Sequence, residues 1–199
     1  MKIELLELAG IGPAMKAMRN PMDSWAKGDS EFGLNAKIGH EDLKLGTSLA
    51  RAGRSHRKFL RMINVWFDVT APIYWYSEFD TYKVGVTRLS CSTMHKLGTR
   101  TLTEADFEGG DVMFEVLHEL NSRINIGKTS GRSASLTLEL KRILPASYLQ
   151  TSTVSTNYEA LLNMYNDRCN HRLPEWREVF CPWVEKLYMM PEFIDATKG

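Results

Sequence analysis

Three cysteines, Cys91, Cys169 and Cys181, are too few and too scattered for a disulfide framework, and no C-x-x-C pair occurs. An odd, dispersed set of this kind suits a reducing compartment. His171 stands close to Cys169, but a C-x-H spacing lacks the separation of a zinc site and a fourth ligand is missing, so no metal is expected. Neither sign of charge dominates. With 25 Lys and Arg against 24 Asp and Glu the net charge is +1, and bulk electrostatics favour neither nucleic acid nor a membrane as partner. The apolar runs are too short to cross a bilayer, and the opening MKIELLELAG has acidic residues where a secretory leader is basic. The expectation is a cytoplasmic protein. A full dinucleotide fingerprint is also lacking. Gly10 and Gly12 stand in AGIGPA, but Pro13 removes an amide donor, and the segment reads as a turn.

What is present is ordinary for a globular chain: 43% hydrophobic and 25% charged residues over 199 positions, enough for one domain spanning 1–199 with a real core. KIELLEL reads as a strand and residues 21–40 as a mobile surface loop. From Glu41 to Ala52, Leu45, Leu49 and Ala52 share a helical face that Gly53 terminates. Ile63, Val65, Phe67 and Val69 alternate with Asn64, Trp66 and Asp68, the period of a strand with one buried side. Pro72 fits a first helical turn, and Thr103 can cap the segment that begins at Glu104. Val112, Val116, Leu117, Leu120 and Ile124 line one helix; Leu136, Leu140, Ile143 and Leu144 line the next, stopped by Pro145. Strands early and helices late give an α+β (mixed α/β) fold, a sheet packed with several helices.

The helix NYEALLNMYNDR, 157–168, poses a chemical question. Asn157, Leu161, Met164 and Arg168 fall on one line, beside Tyr158, Leu162 and Tyr165. An arginine at the end of an apolar stripe needs an anionic partner, either a bound phosphate or carboxylate or an internal Asp or Glu. Asn157 stands where an N-cap belongs, and Asn163 projects from the polar face. Upstream, KVGVTRLSCSTMHK places Lys83, Arg88 and Lys96 among the hydroxyls of Ser90, Ser92 and Thr93, a set able to converge on a phosphate, with Gly85 permitting close backbone approach. Cys91 and His95, four apart, either pair to activate a thiolate or merely line the site. The aromatic group Trp66, Tyr74, Trp75, Tyr76, Phe79 and Tyr82 is core packing, a stacking platform for a ring, or both.

Two of these segments carry a resemblance. LPASYLQTSTVST leads into Asn157, Asn163 and Arg168 at the spacing of the C-terminal signature of flavin-dependent thymidylate synthases, and RCNHRLPEWREV, with His171, Glu175 and Trp176, resembles the stretch that follows, at shifted spacing. FLRMINVWFDVTAPIYWYSEFDTYK is similar to that family's strand, turn and helix ahead of its flavin-binding motif. The motif itself, Arg-His-Arg with a later Ser-x-Arg-Tyr, is replaced. An ungapped match sets Thr81, Tyr82 and Lys83 against Arg-His-Arg and Cys91, Thr93 and Met94 against Ser, Arg and Tyr. One inserted residue moves Ser92 onto the serine and His95 onto the tyrosine. Lysine does not reproduce an arginine's bidentate fork on phosphate.

The resemblance implies an FAD enzyme that forms dTMP from dUMP, with methylenetetrahydrofolate as one-carbon donor and NADPH as reductant, working as a homotetramer in nucleotide biosynthesis. It implies Asn157 and Asn163 at the flavin and Arg168 at the dUMP-like nucleotide. The 81–96 loop completes both sites, Tyr82 and Lys83 toward the flavin and Arg88, Cys91 and Ser92 toward the nucleotide. No residue is assigned a catalytic step. The altered motif leaves two alternatives: a related enzyme with another nucleotide substrate, or a non-catalytic nucleotide- or flavin-binding protein.

Overall fold

The computed structural model describes residues 1–33, 37–130 and 133–198. In chain order its first elements are β1 (Lys2–Ala9), α1 (Ile11–Ala17), α2 (His40–Arg51), β2 (Asn64–Pro72), α3 (Ile73–Phe79), β3 (Thr87–Ser90) and α4 (Thr93–Lys96). Then come α5 (Phe114–Ser130), α6 (Ser133–Ile143), β4 (Leu149–Asn157), α7 (Tyr158–Arg168), α8 (Cys181–Glu185) and α9 (Met190–Thr197), with a π-helix at Glu175–Phe180. The four strands form one sheet in the order β1-β2-β4-β3, so the fold is α+β. Among the described residues no helix is long and apolar enough to cross a membrane.

The chain divides into two compact units. The first comprises Met1–Lys2, Val69–Thr81 and Arg88–Thr153; the second comprises Ile3–Asp68, Tyr82–Thr87 and Val154–Gly199. In the first, α5 and α6 pack as a helical hairpin over Leu97, Leu102 and Phe107, with Leu120, Ile124 and Leu140 fully buried and Val116, Leu117 and Leu136 against them. This is the pair of stripes the sequence spacing predicts. Thr103 opens a capping box, its amide donating to Asp106 Oδ2 at 2.8 Å. Trp75 and Phe79 stack at 4.8 Å on the inner side of α3, and with Tyr76 they are buried, so half of the aromatic group is core while Trp66, Tyr74 and Tyr82 stay partly exposed. Pro72 ends β2 and caps α3 instead of sitting inside the helical turn.

In the second unit Ile63, Val65 and Phe67 are fully buried, in the predicted alternation, which continues at Val69 in the first unit. The stripe of α7 is buried as well: Tyr158, Leu161, Leu162 and Met164 expose nothing. α9 packs on α2 and α7, and Phe193 meets Phe59 and Tyr158 edge-on. At α1 the sequence expectation needs correction. The turn is confined to Gly10, whose φ of 92° opens a helix in which Pro13 falls in the first turn. A Cβ at Gly10 would lie 2.2 Å from the Met62 carbonyl oxygen, so glycine is required there by packing and not by a phosphate.

Among the described residues of the 21–40 segment, Asp29 and Ser30 are tied to the start of α2. The Asp29 carboxylate accepts the Glu41 and Asp42 amides at 2.9 and 3.0 Å, which holds its pKa below the usual carboxylate value. Asp42 in turn takes Arg19 Nε at 2.5 Å, both side chains being buried. Residues 34–36 of that segment lie outside the described residues.

Candidate functional site

In the second unit, α7 carries Arg168 to the end of its buried stripe. Nε of Arg168 donates to the Tyr82 phenol oxygen at 3.0 Å, and the phenol donates onward to Asp167 Oδ2 at 3.2 Å. The guanidinium also lies 5.4 Å from the ring centre of Trp176, a fully buried side chain supplied by the π-helix. Tyr82 and Trp176 thus form an aromatic corner, centroids 6.4 Å apart, that holds a half-exposed cation. Burial pushes the Tyr82 phenol above its ordinary pKa, against the lowering effect of the Arg168 bond, so it stays a neutral donor and acceptor.

Asn157 caps α7 as the sequence predicts, its Oδ1 accepting the Ala160 amide at 3.0 Å. Its Nδ2 faces Gly85, where an added Cβ would lie only 2.5 Å away. Gly85, with φ 73°, therefore lets the backbone approach a side chain of α7. Asn163 is not simply a solvated polar-face residue: its Oδ1 accepts from Arg57 Nη2 at 2.9 Å, and Arg57 pairs with Glu159 at 2.9 Å. Lys83 is exposed in the same unit.

In the first unit lies a cleft of ≈ 520 Å³ whose lining includes Cys91, Ser92, Thr93, Lys96, Arg100 and Gln150. Its chemistry is that of an anion acceptor. Hydroxyls and amides stand beside two cations, and among the described residues Lys96 enters no ion pair. Arg100 is committed to Asp106, the contact raising the pKa of the arginine and lowering that of the acid. Cys91 is exposed, with its amide on the Thr151 carbonyl at 2.8 Å and its carbonyl accepting from Gln150 Nε2 at 2.7 Å. The His95 side chain lies outside the described residues.

Arg88 belongs to this unit but its fork is engaged. It meets Asp80 twice, at 2.9 and 2.6 Å, donates to Ser152 Oγ at 3.2 Å, and its guanidinium carbon lies 4.4 Å from the centre of the Tyr76 ring. The structure thus joins Tyr82 to Arg168 and Gly85 to Asn157 in the second unit, and sets Cys91 beside Ser92 on the cleft of the first. Arg57, Glu159 and Asp80 escaped the sequence reading, because no helical or strand period links them to their partners. Arg100 was signalled only by lying just past a hydroxyl-rich, cationic stretch.

No family model matches the chain, and comparison with curated proteins by sequence gives no match. Comparison of folds does. The chain is similar over 100% of both lengths to the flavin-dependent thymidylate synthase ThyX from Helicobacter pylori complexed with FAD and dUMP, with a TM-score of 0.76 and 15% identity. A second Helicobacter pylori ThyX structure with FAD and dUMP gives 0.74 and 14%, again over 100% of each chain. The UMP/dUMP methylase PolB from Streptomyces cacaoi, bound with 5-Br dUMP, gives 0.65 and 15%, covering 98% of this chain and 93% of that one. The fold is that of the flavin-dependent thymidylate synthases, as the resemblance of the two sequence segments implies.

Proposed function

We propose that this chain binds a dUMP-like nucleotide and FAD and takes part in reductive methylation of the pyrimidine to dTMP, with methylenetetrahydrofolate and NADPH as co-substrates. The observation that carries this reading is the whole-length likeness of fold to proteins whose structures hold FAD and dUMP, and to a methylase of UMP and dUMP. The residues present fit phosphate-bearing ligands. Arg168 is a positioned cation, its Nε held by the Tyr82 phenol and its guanidinium lying against the Trp176 ring, the kind of group that recognises a phosphate. The cleft adds Lys96 and the hydroxyls of Ser92 and Thr93.

In this reading Arg168, Cys91 and Ser92 hold nucleotide, while Asn157, Asn163, Lys83 and Tyr82 serve the flavin. Arg88 contributes only through what Asp80 leaves free. The redox chemistry is the flavin's when bound; the chain's part is to bind, orient and neutralise charge. Assembly as a homotetramer in the cytoplasm belongs to the same reading. One observation favours a second, non-catalytic binding role or an altered nucleotide. Thr81-Tyr82-Lys83 keeps a single cation where the family has Arg-His-Arg, and Arg88 is engaged by Asp80.

The visible absorbance of purified protein tests the proposal, read before and after addition of FAD and then dUMP. The expected result is a flavin band that shifts with nucleotide. In Arg168→Met the flavin band should persist while dUMP affinity falls about ten- to hundredfold, the size of a lost charged hydrogen bond. Protein that neither retains nor takes up flavin overturns the redox reading.

A further inference from the structure

Arg57, Glu159 and Asn163 form a small network whose geometry dictates a direction. The Arg57 and Glu159 side chains are 8% and 6% exposed, with Nε and Oε2 2.9 Å apart. Glu159 and Asn163 lie one turn apart on α7, and Arg57 reaches both, giving Nη2 to Asn163 Oδ1 at 2.9 Å. A guanidinium has five donors and no acceptor. The carboxamide of Asn163 must therefore turn its oxygen to Arg57, because the opposite rotamer would set two N–H groups against a cation. Nδ2 is left pointing away. Among the described residues it has no hydrogen-bond partner in the protein, and Asn163 is only half-buried, so a ligand can reach it.

We propose that Arg57 is a positioning residue that makes Asn163 an obligate hydrogen-bond donor, aimed at an acceptor atom of a bound heterocycle: a ring carbonyl oxygen or unprotonated ring nitrogen. Flavin and uracil both carry such atoms. The inference rests on the flavin and nucleotide reading, and it adds to that reading the polarity of one contact and the residue that sets it. Glu159 keeps Arg57 in place and compensates its charge, since an unpaired guanidinium at this depth is strongly unfavourable.

Asn163→Asp is the discriminating variant. It keeps the side-chain shape and strengthens the contact with Arg57, but replaces the outward donor with an acceptor. Separate titrations with FAD and dUMP should show the affinity for at least one falling tenfold or more, and the ligand affected names the source of the acceptor. The melting temperature should not fall. Because Arg57→Met strands Glu159, the companion variant is Arg57→Met with Glu159→Leu, which removes both charges. There the freed carboxamide can turn, and affinity for the same ligand should weaken several-fold. If Asn163→Asp binds both ligands like the wild type, the inference is wrong while the functional reading stands. If the wild type binds neither, both fall together.

Discussion

Gly85 and Asn157 offer a quantitative check on how the loop after α3 meets α7. Gly85 has φ 73°, and a Cβ built there lies 2.5 Å from Asn157 Nδ2. That amide cannot move away freely, because its Oδ1 is held by the Ala160 amide at 3.0 Å as the cap of α7. Gly85→Ala therefore incurs two costs. Placing alanine in the left-handed region costs about 1 kcal/mol, and displacing the carboxamide forfeits an N-cap worth about 1 kcal/mol. The sum of about 2 kcal/mol corresponds, for a chain of this size, to a fall in Tm of roughly 4–8 °C. Asn157→Ala alone should cost about 1 kcal/mol, the cap only. In the double variant the new methyl no longer meets a carboxamide, so the total should stay near 2 kcal/mol rather than about 3. Urea denaturation of the four proteins measures this coupling directly. Strict additivity of the two single costs would refute the argument, since it would mean that the methyl and the cap do not compete for the same space.

Two further outcomes follow from burial. The Tyr76 phenol, with the Val69 and Gln150 carbonyls each 2.9 Å away, is pushed up to about 12 by desolvation. Unfolded tyrosine releases its proton near 10, so between these values the unfolded chain binds fewer protons and stability must fall as pH rises. Denaturation midpoints at pH 9, 10 and 11 should decline, less steeply in Tyr76→Phe, and a flat profile would contradict the assignment. Among the thiols, Cys91 is exposed whereas Cys181 is buried and pushed up to about 12 by desolvation. A disulfide reagent at pH 8 should titrate Cys91 in a fast phase that Cys91→Ser abolishes, with Cys181 silent until the chain unfolds; fast modification of Cys181 would show that its packing is wrong.

Much of the architecture was legible because it is written locally. The alternation from Ile63 to Val69, the α5 and α6 stripes and the buried line of α7 are periodic patterns. Each matches what the structure buries. Asn157 was legible as a cap because capping is a relation across three residues. The helix after Gly10 was hidden because the same Gly-x-Gly-Pro letters serve a turn or a helix start. What decided between them was the Met62 carbonyl, remote in sequence. The surroundings of Arg168 were half legible. Its spacing on the stripe called for a partner, but the phenol of Tyr82 and the indole of Trp176 come from a different loop and from a helix of unusual winding. Arg57 gave no signal at all, since nothing within a turn or two of it hints at Glu159.

That unusual winding has a genetic consequence. The π-helix Glu175–Phe180 closes its hydrogen bonds five residues apart rather than four, so it accommodates one codon more than an α-helical path of the same reach. Deleting a single codon between 175 and 180 would let the segment relax to an α-helix. Everything after it would keep its direction, because the α-helical path ends where the π turn ends, and Cys181 and Val184 would stay in the core they now fill. The surplus residue behaves as an absorbed insertion: a frame-preserving deletion there is taken up by the winding, whereas the same deletion inside α7 would turn the rest of its buried stripe by about 100°.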